Sequence, residues 1–226
     1  MPRNPLPPPP PPVHLRTWPD RDALLADRAL AVGELTRRLL GGGRLTLFLL
    51  LLAGLQVGWL IVGGALMSLD DGLVDPLSGL FAVLGACFGA AVMIPVGYAV
   101  ASSVRRDRAA RELLLQWAAL DRDPASDARL RAPAPSVAWF LLSFGLCAAG
   151  LWLSFTVPAA ARPGATTYAE VAYGMGAGLL LWVHGLIGLA KAVGHYRFAV
   201  RLLRAPGRPE PAQAGRSASS APPPPS

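Results

Sequence analysis

Catalytic signatures are missing from this 226-residue chain: no glycine-rich loop closes on a lysine, and neither HExxH nor GxSxG occurs. A P-loop NTPase, a zinc peptidase and a serine hydrolase are therefore excluded, and the chain is read as a non-enzyme with no cofactor. Cysteine is scarce. Cys87 and Cys147 both fall inside apolar runs, which rules out a disulfide-stapled extracellular scaffold. Lysine is nearly absent: of 21 basic residues only Lys191 is one, a bias that suggests a GC-rich bacterial genome. No pair of carboxylates stands within an apolar run, which argues against a proton- or sodium-coupled carrier of the usual kind. No cleavable leader or lipidation signature is read at the ends, since the first apolar run begins some 44 residues in, behind a polar arm.

Charge is also missing, locally, and that absence organises the chain. From Leu45 to Leu69, LTLFLLLLAGLQVGWLIVGGALMSL carries none, and Arg44 and Asp70 bracket it. At about 1.5 Å per residue, two dozen helical residues cross a hydrocarbon core of about 30 Å with some tilt. Three more runs of similar length follow. The predicted spans are 45–68, 77–102, 137–157 and 168–193, within a membrane domain over 44–204 whose central loop covers 103–136. More than half of the chain (53%) is hydrophobic, and the mean hydropathy of +0.41 is held down by polar, proline-rich ends. The fold class expected is all-α: a four-transmembrane-helix bundle with amphipathic helices on its cytoplasmic side.

The remaining segments are read in order. Residues 1–19 form a proline-rich arm with an unbroken run from Pro7 to Pro12, expected as extended polyproline II and disordered, either solvated or open to a proline-binding partner. Residues 20–43 form an amphipathic helix capped by Asp20 and stopped by Gly41-Gly42-Gly43. Leu24, Leu25, Ala31, Val32, Leu35 and Leu39 make its apolar stripe, so it is expected at the membrane surface. A similar helix after span two carries Leu113, Leu114, Trp117 and Leu120 on one side, and a basic helical continuation, GHYRFAVRLLRAP, follows span four. Pro95 is expected to kink span two and Pro158 to end span three. The tail 205–226, rich in Pro, Ala and Ser, is expected to be disordered.

Net charge is +7, and the arginines flank apolar runs rather than covering one face of a soluble domain, which excludes a nucleic-acid reading. The two short loops joining spans one to two and three to four hold a single basic residue, Arg162, against Asp70, Asp71, Asp75 and, at the edge of span four, Glu170. The other twenty basic residues lie on the opposite side. The predicted topology is a multi-pass protein of the cell membrane with both termini cytoplasmic. Placing Val104 over Val193 also matches Arg108 with Arg197, Ala110 with Ala199 and Leu113-Leu114 with Leu202-Leu203. That match reads either as two parallel two-span repeats or as shared membrane-flanking composition.

Few side chains offer chemistry. His184 is the one histidine inside a span, and at 100° per residue it shares an inward arc with Tyr173, Ala177, Gly188 and Lys191. It is read as donating to a carbonyl on a neighbouring helix, or, in the functional version, as a proton-relay or ligand-binding group. Lys191, near the cytoplasmic end, is expected to snorkel. Gln56, Cys87, Cys147 and His184 lie at comparable depth, but with no CxxC or HxxxH pair no metal site is assigned. Gly54/Gly58, Gly85/Gly89 and Gly174/Gly178 are GxxxG pairs that let helix backbones approach closely. The function expected is a non-enzymatic membrane component that assembles with itself or another membrane protein, its arginines drawn to anionic inner-leaflet lipid. The alternative is a small transporter or channel subunit using the polar face around His184.

Overall fold

The computed structural model describes residues 6–71, 76–120 and 133–204. After a single 3₁₀ turn at Val13–Leu15 come five helices: α1 (Arg21–Leu40), α2 (Gly42–Asp71), α3 (Pro76–Ala118), α4 (Pro133–Ala160) and α5 (Tyr168–Arg204). Among the described residues there is no strand. Four helical stretches are long and apolar enough to cross a membrane: Arg21–Leu69, Leu77–Ala118, Pro135–Ala160 and Tyr168–Phe198. The fold is thus all-helical with four candidate spans, as expected for a multi-pass membrane protein. Asp75, the centre of the 103–136 loop, Met1–Pro5 and the tail 205–226 lie outside the described residues.

Local chemistry sets the helix ends. Asp20 caps α1, its Oδ1 accepting from the Ala23 amide at 2.7 Å. Of the three glycines only Gly41 interrupts the helix; α2 already starts at Gly42, so the break is one residue wide. At the other end of the molecule Thr167 and Glu170 form a reciprocal capping box: the Thr167 amide donates to Glu170 Oε2 and the Glu170 amide to Thr167 Oγ1. The turn before it contains Gly164 at φ 78°, a left-handed conformation that glycine adopts without strain. Pro158 lies inside the last turn of α4 instead of ending it, and the chain closes behind it with an Ala161 amide to Pro158 carbonyl bond. α3 runs on through Pro95.

α5 runs on to Arg204, the basic helical continuation expected after span four. α3 likewise continues unbroken to Ala118, so the basic segment after span two is an extension of its spanning helix and not a separate one. Nothing in VASSVRRDRAAR breaks a helix; its charges change the solvent preference only. The apolar stripes of these segments also face one another. Val32, Leu35 and Leu39 of α1 pack with Ala110, Leu114 and Trp117 of α3, Trp139 of α4 and Phe198 of α5 in one buried cluster. Burying such a side chain stabilises by about 1.5–3 kcal/mol relative to water, and in this cluster the neighbouring helices provide the burial.

Between the ends, α2 packs along α3, α4 packs along α5, and α2 also meets α5, which gives the lateral order α3, α2, α5, α4. Phe81, Phe88, Ile94, Tyr98, Trp152 and Phe155 point outward. On spanning helices such a rim is the lipid-facing surface.

Candidate functional site

The paired glycines are consumed within the chain. Gly58 and Gly89 face each other across α2 and α3: a methyl on Gly89 would stand 2.9 Å from the Gly58 carbonyl oxygen. Gly54 lies against Val96 and Gly85 against Ala65 in the same interface. On the other pair, Gly178 meets Gly150, where a methyl would stand 2.7 Å from the Gly150 carbonyl oxygen, and Gly174 meets Val157. Each of the six predicted packing glycines thus serves contacts between neighbouring helices of this chain.

A polar seam joins α2 to α5. Trp59 Nε1 donates to the Tyr173 carbonyl at 2.9 Å, Gln56 Nε2 to the Ala177 carbonyl at 3.1 Å, and His184 Nε2 to the Phe48 carbonyl at 3.0 Å. The partners move up one helix as they move down the other, an antiparallel register in which one face of α2 reads one face of α5. Gly63 makes room for the Tyr173 ring and Gly176 for the Trp59 indole. His184 is 2% exposed, and the Phe48 ring lies 4.2 Å from its centroid. In lipid such interhelical bonds are worth about 0.6 kcal/mol on average.

Two turns beyond His184 the seam opens into a charge cluster. Lys191 does not snorkel; it is 8% exposed and its Nζ pairs with Asp107 Oδ2 of α3 at 2.9 Å. The same ammonium stands 4.4 Å over the Trp139 ring, whose Nε1 donates to the Leu40 carbonyl at 3.3 Å. A carboxylate and a π face within reach hold the ammonium better than a longer path to water. Arg44 of α2 approaches Asp107 Oδ1 at 3.8 Å, too far for a hydrogen bond, and that oxygen has no hydrogen-bond partner among the described residues. Arg44, Phe48, Asp107, Trp139, His184 and Lys191 border a cavity of about 30 Å³, room for one or two waters. All four spanning helices contribute to it.

The predicted residues therefore separate. His184 and Lys191 share this cavity, whereas Gln56 lies two turns away along the seam. Cys87 is exposed on α3, and Cys147 on α4 turns its Sγ to the Trp182 carbonyl at 3.7 Å, so the four groups at comparable depth do not converge. Among the described residues no three metal-ligating side chains cluster. Sequence reasoning missed Asp107, Arg44 and Trp139 as members of this site. A signal for the first existed: Asp107 is a lone carboxylate in the run RRDRAAR, with an arginine on either side.

The chain matches no known family model, and neither the curated proteins nor the solved structures compared with it contain a match.

Proposed function

We propose that this chain is a non-enzymatic membrane component that works by assembly, offering a partner its arginine-studded cap of α1 and the extensions of α3 and α5. The observation that carries this reading is the division of surfaces. The glycine faces and the α2–α5 polar groups are used up inside the molecule, while Arg37, Arg105, Arg106, Arg108 and Arg197 stay exposed on one end. That end is read as cytoplasmic in the cell membrane, at the headgroup layer of an anionic leaflet, where each basic residue adds roughly 1 kcal/mol of attraction. Both termini then lie inside. The partner is a membrane protein or a second copy.

Crosslinking in native membranes, followed by solubilisation and mass spectrometry, tests the assembly. A reproducible partner lost when Arg105, Arg106 and Arg108 are changed together to glutamine is the expected result. A monomer that captures nothing reproducibly overturns it. Reporter fusions at the C-terminus and at Gly164 test the orientation, which fails if the Gly164 fusion reports cytoplasm.

A second reading, a transporter or channel subunit, draws on the cavity beside His184. It requires that His184→Ala abolish a pH-dependent flux in proteoliposomes; a correctly folded wild-type protein showing no flux rejects it.

A further inference from the structure

A second cavity, of about 70 Å³, lies where the last turn of α1 meets the extensions of α3 and α5. Leu39, Leu40, Leu114 and Phe198 form apolar walls, and Arg111 and Lys191 supply its charge. Arg111 is half-buried, yet among the described residues its guanidinium has no hydrogen-bond acceptor. The carboxylate whose field it feels, Asp107, is already bonded to Lys191. A methyl on Gly194 would stand 2.9 Å from Arg111 Nη1, so the glycine gives the guanidinium its place against α5. None of its nitrogens is both enclosed and unbonded, so the fork still reaches water, and an anion entering the groove meets N–H donors that no other residue occupies. Around the two cavities Arg44, Arg111 and Lys191 stand against the single carboxylate of Asp107.

We propose that this groove holds one anionic phospholipid, its phosphate taken by the Arg111 fork with Lys191 behind it. The first carbons of the lipid lie against Leu115, the exposed apolar residue of the groove's lining, outside the buried Leu39, Leu114 and Phe198. The guanidinium matches a phosphate bidentately, which an ammonium does not. The apolar walls select a lipid over free phosphate. The inference rests on the placing of this cap at the headgroup layer.

Native mass spectrometry of the full-length protein, delipidated and titrated with phosphatidylglycerol, phosphatidylcholine or inorganic phosphate, reads the site. The wild type is expected to retain one phosphatidylglycerol in preference to phosphatidylcholine, with inorganic phosphate a poor competitor. Arg111→Gln is expected to lose about tenfold in affinity, the worth of a charge-assisted hydrogen bond, while Arg162→Gln, exposed at the opposite end of the molecule, changes little. Arg111→Lys keeps the charge, loses the fork and falls between them, and it stands in if Arg111→Gln does not fold. The proposal is overturned by unchanged retention in the Arg111 variants, by equal losses in the Arg162 and Arg111 variants, or by millimolar phosphate displacing the lipid. Crosslinking and reporter fusions read partner and orientation without reference to lipid, so a failure here and a failure of the assembly reading are separable.

Discussion

Ser143 is completely enclosed where α4 meets α5, and its hydroxyl has no hydrogen-bond partner among the described residues. It occupies the space that a side chain at position 188 would fill, since a methyl on Gly188 would collide with Ser143 Oγ. An unmade buried hydroxyl bond costs about 1–3 kcal/mol, and an overpacked contact costs a similar amount. Ser143→Ala is therefore expected to leave unfolding in detergent unchanged or to raise stability by up to about 1 kcal/mol. Gly188→Ala is expected to lower it by about 1–3 kcal/mol, and the double variant to lose less than the sum, because the colliding oxygen is gone. A clear destabilisation by Ser143→Ala alone would show that a bound water completes the hydroxyl, and additivity would show that the two positions do not meet. His184 is different in kind. Its bond to the Phe48 carbonyl is already satisfied, so His184→Leu is expected to cost no more than about 1.7 kcal/mol, the upper end for interhelical bonds in lipid.

At the scale of elements, α1 is held by more than its stripe. The proline arm, expected to be disordered, returns over α3: Trp117 Nε1 donates to the Pro8 carbonyl at 3.1 Å. Pro7, Pro10 and Pro11 are half-buried while Pro8, Pro9 and Pro12 are exposed, so one side of the arm lies against the protein. Trp18 Nε1 adds a bond to Asp27 Oδ2 on α1. Trp117→Phe keeps an aromatic ring but removes the donor and some packed volume, a loss of about 1 kcal/mol for the hydrogen bond with a packing loss added, and hydrogen exchange of the α1 amides is expected to speed up accordingly. Unchanged exchange in that variant and in one with Pro7–Pro12 replaced by glycine and serine would show that the arm does not hold α1. Within α1, outside the apolar spans, Arg38 and then Arg37 hold the Glu34 carboxyl below the usual carboxylate range. A lowered carboxyl stabilises above its unfolded value and loses that contribution as pH falls through the folded one, so the protection of the α1 amides relative to intrinsic exchange should fall on acidification, less so in Glu34→Gln. Composition made the arm legible as polyproline II but not as docked, because its acceptor groove comes from a residue 109 positions later. In the same way the long apolar runs, three of them free of charge and the fourth holding only Glu170 and Lys191 near its ends, marked the four spans, and the onset of arginine after Ser103 marked a change of solvent without marking a helix end. The inward arc of α5 was readable from its period. What Lys191 would meet there was not, since Asp107 and Trp139 stand on other helices.

The whole molecule has an asymmetry that follows from the order α3, α2, α5, α4. Through the apolar zone α3 is packed to α2 and α4 to α5, leaving α3 and α5 on opposite sides of α2. At the basic end the long extensions of α3 and α5 pass beyond the point where α2 begins and come together. The Asp107–Lys191 pair ties them there, α1 lies across them, and Trp139 brings in α4. Two adjacent helix pairs thereby become a closed unit at one end. A pair this enclosed contributes little net energy, because desolvation offsets most of the attraction, but removing one partner strands the other charge at a cost of about 3–5 kcal/mol. Asp107→Asn should therefore unfold the cap at lower temperature and free Lys191 from beneath the Trp139 ring. Adding Lys191→Met to it should restore most of the loss, because methionine fills the same space without a charge. Melting followed by tryptophan emission distinguishes the cases. A double variant no more stable than Asp107→Asn would mean that the α3–α5 junction depends on the ion pair itself, and that the buried apolar cluster is too weak to close this end of the molecule alone.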